Sequence, residues 1–244
     1  MIMMVRRRLS IWRGVYGDRL LTILTVLLAL MMFVVAPLQV ADGNAFTGFG
    51  GVLALIVLGG VLVLSGSFIA SMLVLVALLT NLYVIISRLQ GTRSDFHLHL
   101  ISAAWLTISL TLGFVVARAV FAAGRVTYHR ILGAVLLYLL VVLAFVPLYV
   151  TVGLMVPDAF AHLAVEDNPG LTSALIYFSC VTLTTVGYGD ITPVHPFARS
   201  LCNIESIIGQ LFPAILIARL VTLQLSDAHS TAPRKISAAP RLHE

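Results

Sequence analysis

Apolar residues in this chain fall in long unbroken runs. They do not recur at the alternate positions of a half-buried strand or along the single stripe of a surface helix. Six runs stand out, at residues 20–36, 45–64, 68–86, 98–121, 131–156 and 198–225. Each is close to the ~20 residues with which a helix crosses a ~30 Å hydrocarbon core. Pro37 closes the first run, and Ser65-Gly66-Ser67 reads as a tight turn between the second and third. Between the fifth and sixth runs lies a shorter apolar stretch, 171–183, whose thirteen residues suit a re-entrant helix rather than a span. The pattern predicts an all-α membrane protein with six transmembrane helices and a re-entrant helix and loop between the fifth and the sixth.

Composition agrees. The chain of 244 residues is 60% hydrophobic and only 10% charged, a balance that excludes an ordinary soluble domain. The ten-residue alternating segments of an outer-membrane barrel are absent. Lys235 is the only lysine, and the formal charge is +5. Because the arginines flank apolar runs, they read as orientation signals and not as a nucleic-acid surface; no nucleic-acid partner is expected. Cys180 and Cys202 both fall at expected membrane depth, where thiols behave as small hydrophobes.

The candidate chemistry follows the short stretch. Residues Thr184, Thr185, Val186, Gly187, Tyr188, Gly189 and Asp190 read TTVGYGD. Glycines there tolerate left-handed backbone angles, which lets successive carbonyls point the same way. A glycine-rich turn between two strands would need alternating flanks, and these flanks are membrane-length instead. The heptapeptide resembles the selectivity filter of potassium channels, whose TVGYG loops replace the hydration shell of the ion with carbonyl oxygens.

That resemblance implies K⁺ sites at the carbonyls of Thr185, Val186, Gly187 and Tyr188 and at the Thr185 hydroxyl, with Gly189 completing the outer end. It implies four copies around one axis, hence a homotetramer in a lipid bilayer, with permeant K⁺ and no cofactor. The 171–183 helix would direct its carboxyl end, and its partial negative charge, at the ion. In relatives an aspartate after the filter pairs with an aromatic residue behind it. Here these would be Asp190 and Tyr177, a tyrosine where many relatives have tryptophan; a merely solvated Asp190 is the alternative. Thr184 belongs with them as filter support.

A pore loop entering from outside makes the fifth run travel from inside to outside. Six spans then place twelve of the fifteen basic residues in the cytoplasm and leave only Arg88, Arg93 and Arg199 outside, in keeping with the positive-inside tendency. Merging the nearly continuous 51–86 stretch into one helix would put the amino terminus and its five arginines outside. A cleaved signal peptide is disfavoured by the long basic region before residue 20 and by Pro37 directly after Val34-Val35-Ala36. The expected organisation is a cytoplasmic basic tail at 1–19 and a four-span domain at 20–124. A pore module at 125–225 and a polar, disordered cytoplasmic tail at 226–244 complete it, in a bacterial inner membrane.

In the sixth run, Gly209 lies twenty-one residues beyond Tyr188, a spacing like that of the inner-helix hinge glycine of bacterial potassium channels. Hinge and close helix packing are equally open readings of it. Gly209 and Pro213 give two soft points. Gln210, Ala214, Ile217 and Val221 share a face that could line an aqueous cavity. Glu205 is a carboxylate at membrane depth and must face protein, with the hydroxyls of Ser179 or Thr182 as candidates; bracing the filter is favoured over tuning a gate.

The fourth run carries Arg118 alone, and no buried acid occupies the first three, so architecture resembles the voltage-gated branch while strong voltage dependence is not expected. His162 and His195 flank the pore, where they could confer pH sensitivity, although the reading as ordinary surface histidines is favoured. A transporter of the related superfamily would need four divergent loops in one longer chain. An enzyme would need a nucleophile with its base, or metal ligands, and His97 and His99 form no such group. No ligand-binding domain follows the sixth run, so a cytoplasmic sensor in the same chain is not expected. The expected function is passive, potassium-selective conduction.

Overall fold

The computed structural model describes residues 19–38, 67–90, 95–121, 128–166, 168 and 170–231. Helix α1 is Arg19–Leu38, α2 is Phe68–Leu89, α3 is Asp95–Val120 and α4 is Tyr128–Met155. The two-residue strand β1, Phe160–Ala161, precedes α5, Leu171–Leu183. Strand β2, Thr192–Pro193, precedes α6, Pro196–Thr231. Among the described residues five helices (α1, α2, α3, α4 and α6) are long and apolar enough to cross a membrane, while α5 is too short. The expected run at 45–64 lies outside the described residues, as do 1–18, the 122–127 linker and 232–244.

Boundaries follow local chemistry. Pro196 opens α6 at the first helical position, where its missing N–H is no loss. At its other end α6 continues to Thr231, beyond the expected limit at 225, because no breaker intervenes before Pro233. In α1 a π-helical turn spans Met31–Val35, with the Ala36 N–H bonded to the Met31 carbonyl, immediately before Pro37.

Packing is sequential: α2 lies on α3, α3 on α4, and α5 touches both α4 and α6. Where α1, α3 and α4 meet, the small residue is Gly133. A Cβ there would stand 2.8 Å from Val120 Cγ2 and 3.2 Å from Leu21 Cδ1. Polar contacts reinforce this junction, since the Thr25 hydroxyl lies 3.1 Å from the Leu132 carbonyl and Thr22 pairs with His129 Nδ1 at 2.8 Å. Near the far end of α6, Arg219 donates to the carbonyls of Val120 (3.3 Å) and Phe121 (2.8 Å). It thereby caps orphan carbonyls at the end of α3 while lying over the Phe121 ring.

The two strands decide how the segment between α4 and α6 is held. Phe160 pairs with Pro193 and Ala161 with Thr192, antiparallel. The N–H groups of Val194 and His195 extend the contact to the Ala159 carbonyl, at 2.9 and 3.2 Å. The excursion containing α5 and its following loop is thus pinned together at both ends. Beneath it, Tyr149 of α4 is fully buried with Phe178 and Phe160 in edge-to-face contact, centroids 5.0 and 5.7 Å away.

Candidate functional site

A helix leaves its last four carbonyls without intrahelical partners, and at membrane depth those acceptors must be satisfied by protein. At the carboxyl end of α5 each one is. The Cys180 carbonyl accepts from the Thr184 N–H (3.0 Å) and hydroxyl (2.7 Å). The Val181 carbonyl accepts from the N–H groups of Val186 (3.0 Å) and Gly187 (3.4 Å). The Thr182 carbonyl receives the Thr185 N–H (3.0 Å) and the Ser206 hydroxyl of α6 (3.3 Å). The Leu183 carbonyl receives the Tyr138 hydroxyl of α4 (3.4 Å).

This pattern aims the loop. A trans peptide holds its C=O opposite its N–H, so when the N–H groups of Val186 and Gly187 turn back onto α5, the carbonyls of Thr185 and Val186 point away from it. The chain accomplishes this by alternating hand. Residues Thr185, Gly187 and Gly189 have φ of +59°, +59° and +82°, while Val186 and Tyr188 between them do not have positive φ. For the glycines the left-handed region is open. For a β-branched threonine it costs on the order of 1–3 kcal/mol, and Thr185 is held there by its own N–H bond to Thr182 and by the Gln210 amide of α6. Gln210 Nε2 donates to Thr185 Oγ1 at 2.8 Å.

Behind the loop stand two anchors. At the outer one, the Tyr177 hydroxyl donates to Asp190 Oδ2 at 2.7 Å, and the Ile191 N–H donates to Oδ1 at 3.0 Å. Tyr177 also stacks parallel to Tyr188, centroids 6.4 Å apart. The bond from Tyr177 holds the Asp190 carboxyl below the usual carboxylate range, helped by the Ile191 N–H, while partial desolvation opposes the shift. The same bond pushes the Tyr177 phenol up.

The inner anchor is Glu205, fully buried on α6. Its carboxylate accepts from the Ser179 hydroxyl of α5 and the Tyr149 hydroxyl of α4. A buried carboxylate is tolerated only with such donors, so one side chain fastens three helices. Ser179 is the expected partner. Thr182 takes part through its carbonyl instead, bonded to Ser206. Tyr149, Tyr138 and Ser206 escape sequence reasoning, although a hydroxyl inside an apolar run is the one signal that marks each of them.

Gly209 packs directly beneath the Leu183 carbonyl. A Cβ added there would collide with that oxygen and stand 2.8 Å from its carbonyl carbon. Helix α6 passes through Gly209 and Pro213 as one continuous element. Between the two readings left open for this glycine, the geometry displays close approach. Gln210, Pro213, Ala214, Ile217 and Val221 are exposed along α6, but Gln210 is engaged with Thr185 rather than merely facing open space.

Residues 134–224 match the ion channel family, a stretch that runs from the first turns of α4 through α5 and the loop into α6. The chain is similar to protein LctB of Bacillus caldotenax, 32% identical over 87 residues, which are 34% of this chain and 64% of that protein. It is similar to two pore potassium channel c of Oryza sativa subsp. japonica, 36% identical over 86 residues, 35% of this chain and 18% of the relative. It is also similar to the inward rectifier potassium channel Kirbac3.1 of Paramagnetospirillum magnetotacticum, 36% identical over 62 residues, 23% and 21% of the two chains. That stretch of the chain is similar to potassium channels. The likeness covers less than two thirds of each of these relatives, and no solved structure matches.

Its five long apolar helices fit a multi-pass membrane protein, and the family that the stretch matches is one of ion channels. Within the channel domain, both anchors test simply. Glu205→Ala removes the acceptor shared by the Ser179 and Tyr149 hydroxyls, leaving them the Val142 carbonyl and Cys202 Sγ; at about 0.5–1.5 kcal/mol per lost bond, thermal unfolding in detergent falls below wild type. Glu205→Gln, which keeps an acceptor, loses less. For Asp190 the folded-state pKa is depressed, so its contribution to stability is present above the ordinary carboxylate range and is lost as pH falls through the folded value. Tyr177→Phe removes the largest cause of the depression; NMR titration of Asp190 then shows a midpoint at higher pH, and the variant, less stable at neutral pH, loses less further stability on acidification than wild type.

Proposed function

We propose that this protein is a potassium-selective channel, a homotetramer in which residues 184–190 of four chains form one filter. The observation that carries the reading is the alternating left-handed backbone at Thr185, Gly187 and Gly189, which turns consecutive carbonyls away from α5 toward open space. One chain brings one such loop, and a cage of oxygens around a bare cation needs several. Two of the relatives are potassium channels by name, which supports K⁺ as the cargo.

In this reading K⁺ sheds water at the filter and is received by the carbonyls of Thr185, Val186, Gly187 and Tyr188 and by the Thr185 hydroxyl. These neutral oxygen dipoles hold an alkali cation without trapping it, and no carboxylate enters the line of sites. Helix α5 adds the negative end of its dipole at the loop. Glu205 braces the filter from behind, and Tyr177 with Asp190 steadies its outer end. Gly209 brings α6 against α5, while Pro213, Ile217 and Val221 line the inner path.

Transport is passive, down the electrochemical gradient. The chain crosses a bacterial inner membrane six times, counting the run at 45–64, with both termini cytoplasmic. Residues 20–124 form the four-span domain and 125–225 the pore module. Voltage dependence is weak because α3 carries one basic residue in its last turn, Arg118, and moving one charge supplies only ~2.3 kcal/mol per 100 mV.

The test is ion selectivity in planar bilayers. Purified wild-type protein under opposed K⁺ and Na⁺ gradients gives a reversal potential close to that of K⁺. Gly187→Ala, which forces a side chain into the left-handed region at ~1–2 kcal/mol per subunit, loses at least about tenfold in K⁺ over Na⁺ preference. An unselective wild type, or an unaltered variant, contradicts the reading.

A further inference from the structure

The Gln210–Thr185 hydrogen bond has a consequence for the ion path that extends the channel reading and rests on it. Thr185 is the one filter residue whose side chain and main chain would both contribute oxygens. It is also the one non-glycine residue of the loop with positive φ. Gln210 Nε2 reaches its hydroxyl oxygen at 2.8 Å from the helix behind. A hydroxyl oxygen has two lone pairs. With an amide N–H directed at one of them, a partly positive hydrogen sits about 2 Å from the oxygen that a cation would use. The amide also stops the hydroxyl hydrogen from turning toward α6, so its rotation is restricted.

From this geometry we infer that Gln210 is a positioning residue for permeation, which fixes the Thr185 hydroxyl and weakens its pull on the innermost cation. Its glutamine amide makes the cavity-side site the loosest in the filter, the place where an ion exchanges most readily with water. An apolar side chain of the same length would leave all the hydroxyl's lone pairs to the ion. The inner site would then bind cations more tightly, and a doubly charged ion most of all.

Ba²⁺ is the probe, because it is close to K⁺ in size and carries twice the charge, so it reads the electrostatics of the inner oxygens. Its binding to the purified full chain in detergent is measured by isothermal titration calorimetry, which requires no conduction and so reports on silent variants too. Gln210→Met is expected to tighten Ba²⁺ binding about tenfold, the effect of losing roughly one neutral hydrogen bond from the coordinating oxygen. Gln210→Leu, judged alongside it for correct assembly by size-exclusion chromatography, is expected to shift in the same direction.

In a Thr185→Ala background the Gln210→Met change is expected to vanish to within about twofold, since the coupling passes through the missing hydroxyl. Unchanged Ba²⁺ affinity in both Gln210 variants overturns the inference, as does an equal shift with and without the Thr185 hydroxyl. Rb⁺ flux into liposomes separates the two levels. A wild type that takes up no Rb⁺ overturns the channel reading together with this inference, whereas a conducting wild type with unshifted variants overturns the inference alone.

Discussion

A carboxylate placed at membrane depth is the constraint around which the carboxy-terminal half is organised. Glu205 is fully buried, and its two hydroxyl partners come from different helices, Ser179 on α5 and Tyr149 on α4. Moving α6 away from α4 or from α5 would leave the buried Glu205 carboxyl short of a hydroxyl partner, in an interior that penalises unpaired polar groups. The same three helices satisfy the carbonyls at the end of α5 through Tyr138 and Ser206. Packing adds to the polar contacts, because Gly209 lets α6 lie against the Leu183 carbonyl with no side chain between them. The short helix is therefore fixed in height and in rotation, and the loop that follows inherits that position.

What the loop inherits is a strained but determined backbone. Left-handed Thr185 is unfavourable by itself, and it is over-determined by an N–H bond to Thr182 and an amide bond from Gln210. Further out, where glycines take over, the strain disappears and the Tyr177–Asp190 bond with the β1–β2 pair holds the exit. Stability at the inner end comes from buried partners, and at the outer end from exposed ones.

Much of this was legible in the residues themselves. Long apolar runs gave the helices, since a helix satisfies its backbone within one segment at that depth and the alternation of a barrel strand is missing. A length of thirteen residues separated α5 from the spans. The need of Glu205 for a hydroxyl pointed to Ser179 or Thr182, because few polar side chains are in reach, and of the two only Ser179 turns its hydroxyl to it. Tyr149 stayed hidden: its role depends on the face that α4 turns toward α6, and an apolar run without polar contrast does not reveal its own rotation. Gly209 was ambiguous for a related reason, since a hinge and a close contact ask for the same residue and only the neighbour's position separates them. The bond from Gln210 to Thr185 was unreadable, as it joins positions whose closeness is created by the loop. The strand pair was equally invisible, being two residues long with no alternation to mark it.

The account is tested most directly by locating the ions. A structure of the purified assembly determined in Rb⁺, with anomalous scattering to identify the ion, should show a file of cations on a fourfold axis, ringed by the carbonyls of Thr185, Val186, Gly187 and Tyr188. An assembly of another symmetry, or those carbonyls turned back onto α5 with no ion density before them, would contradict it.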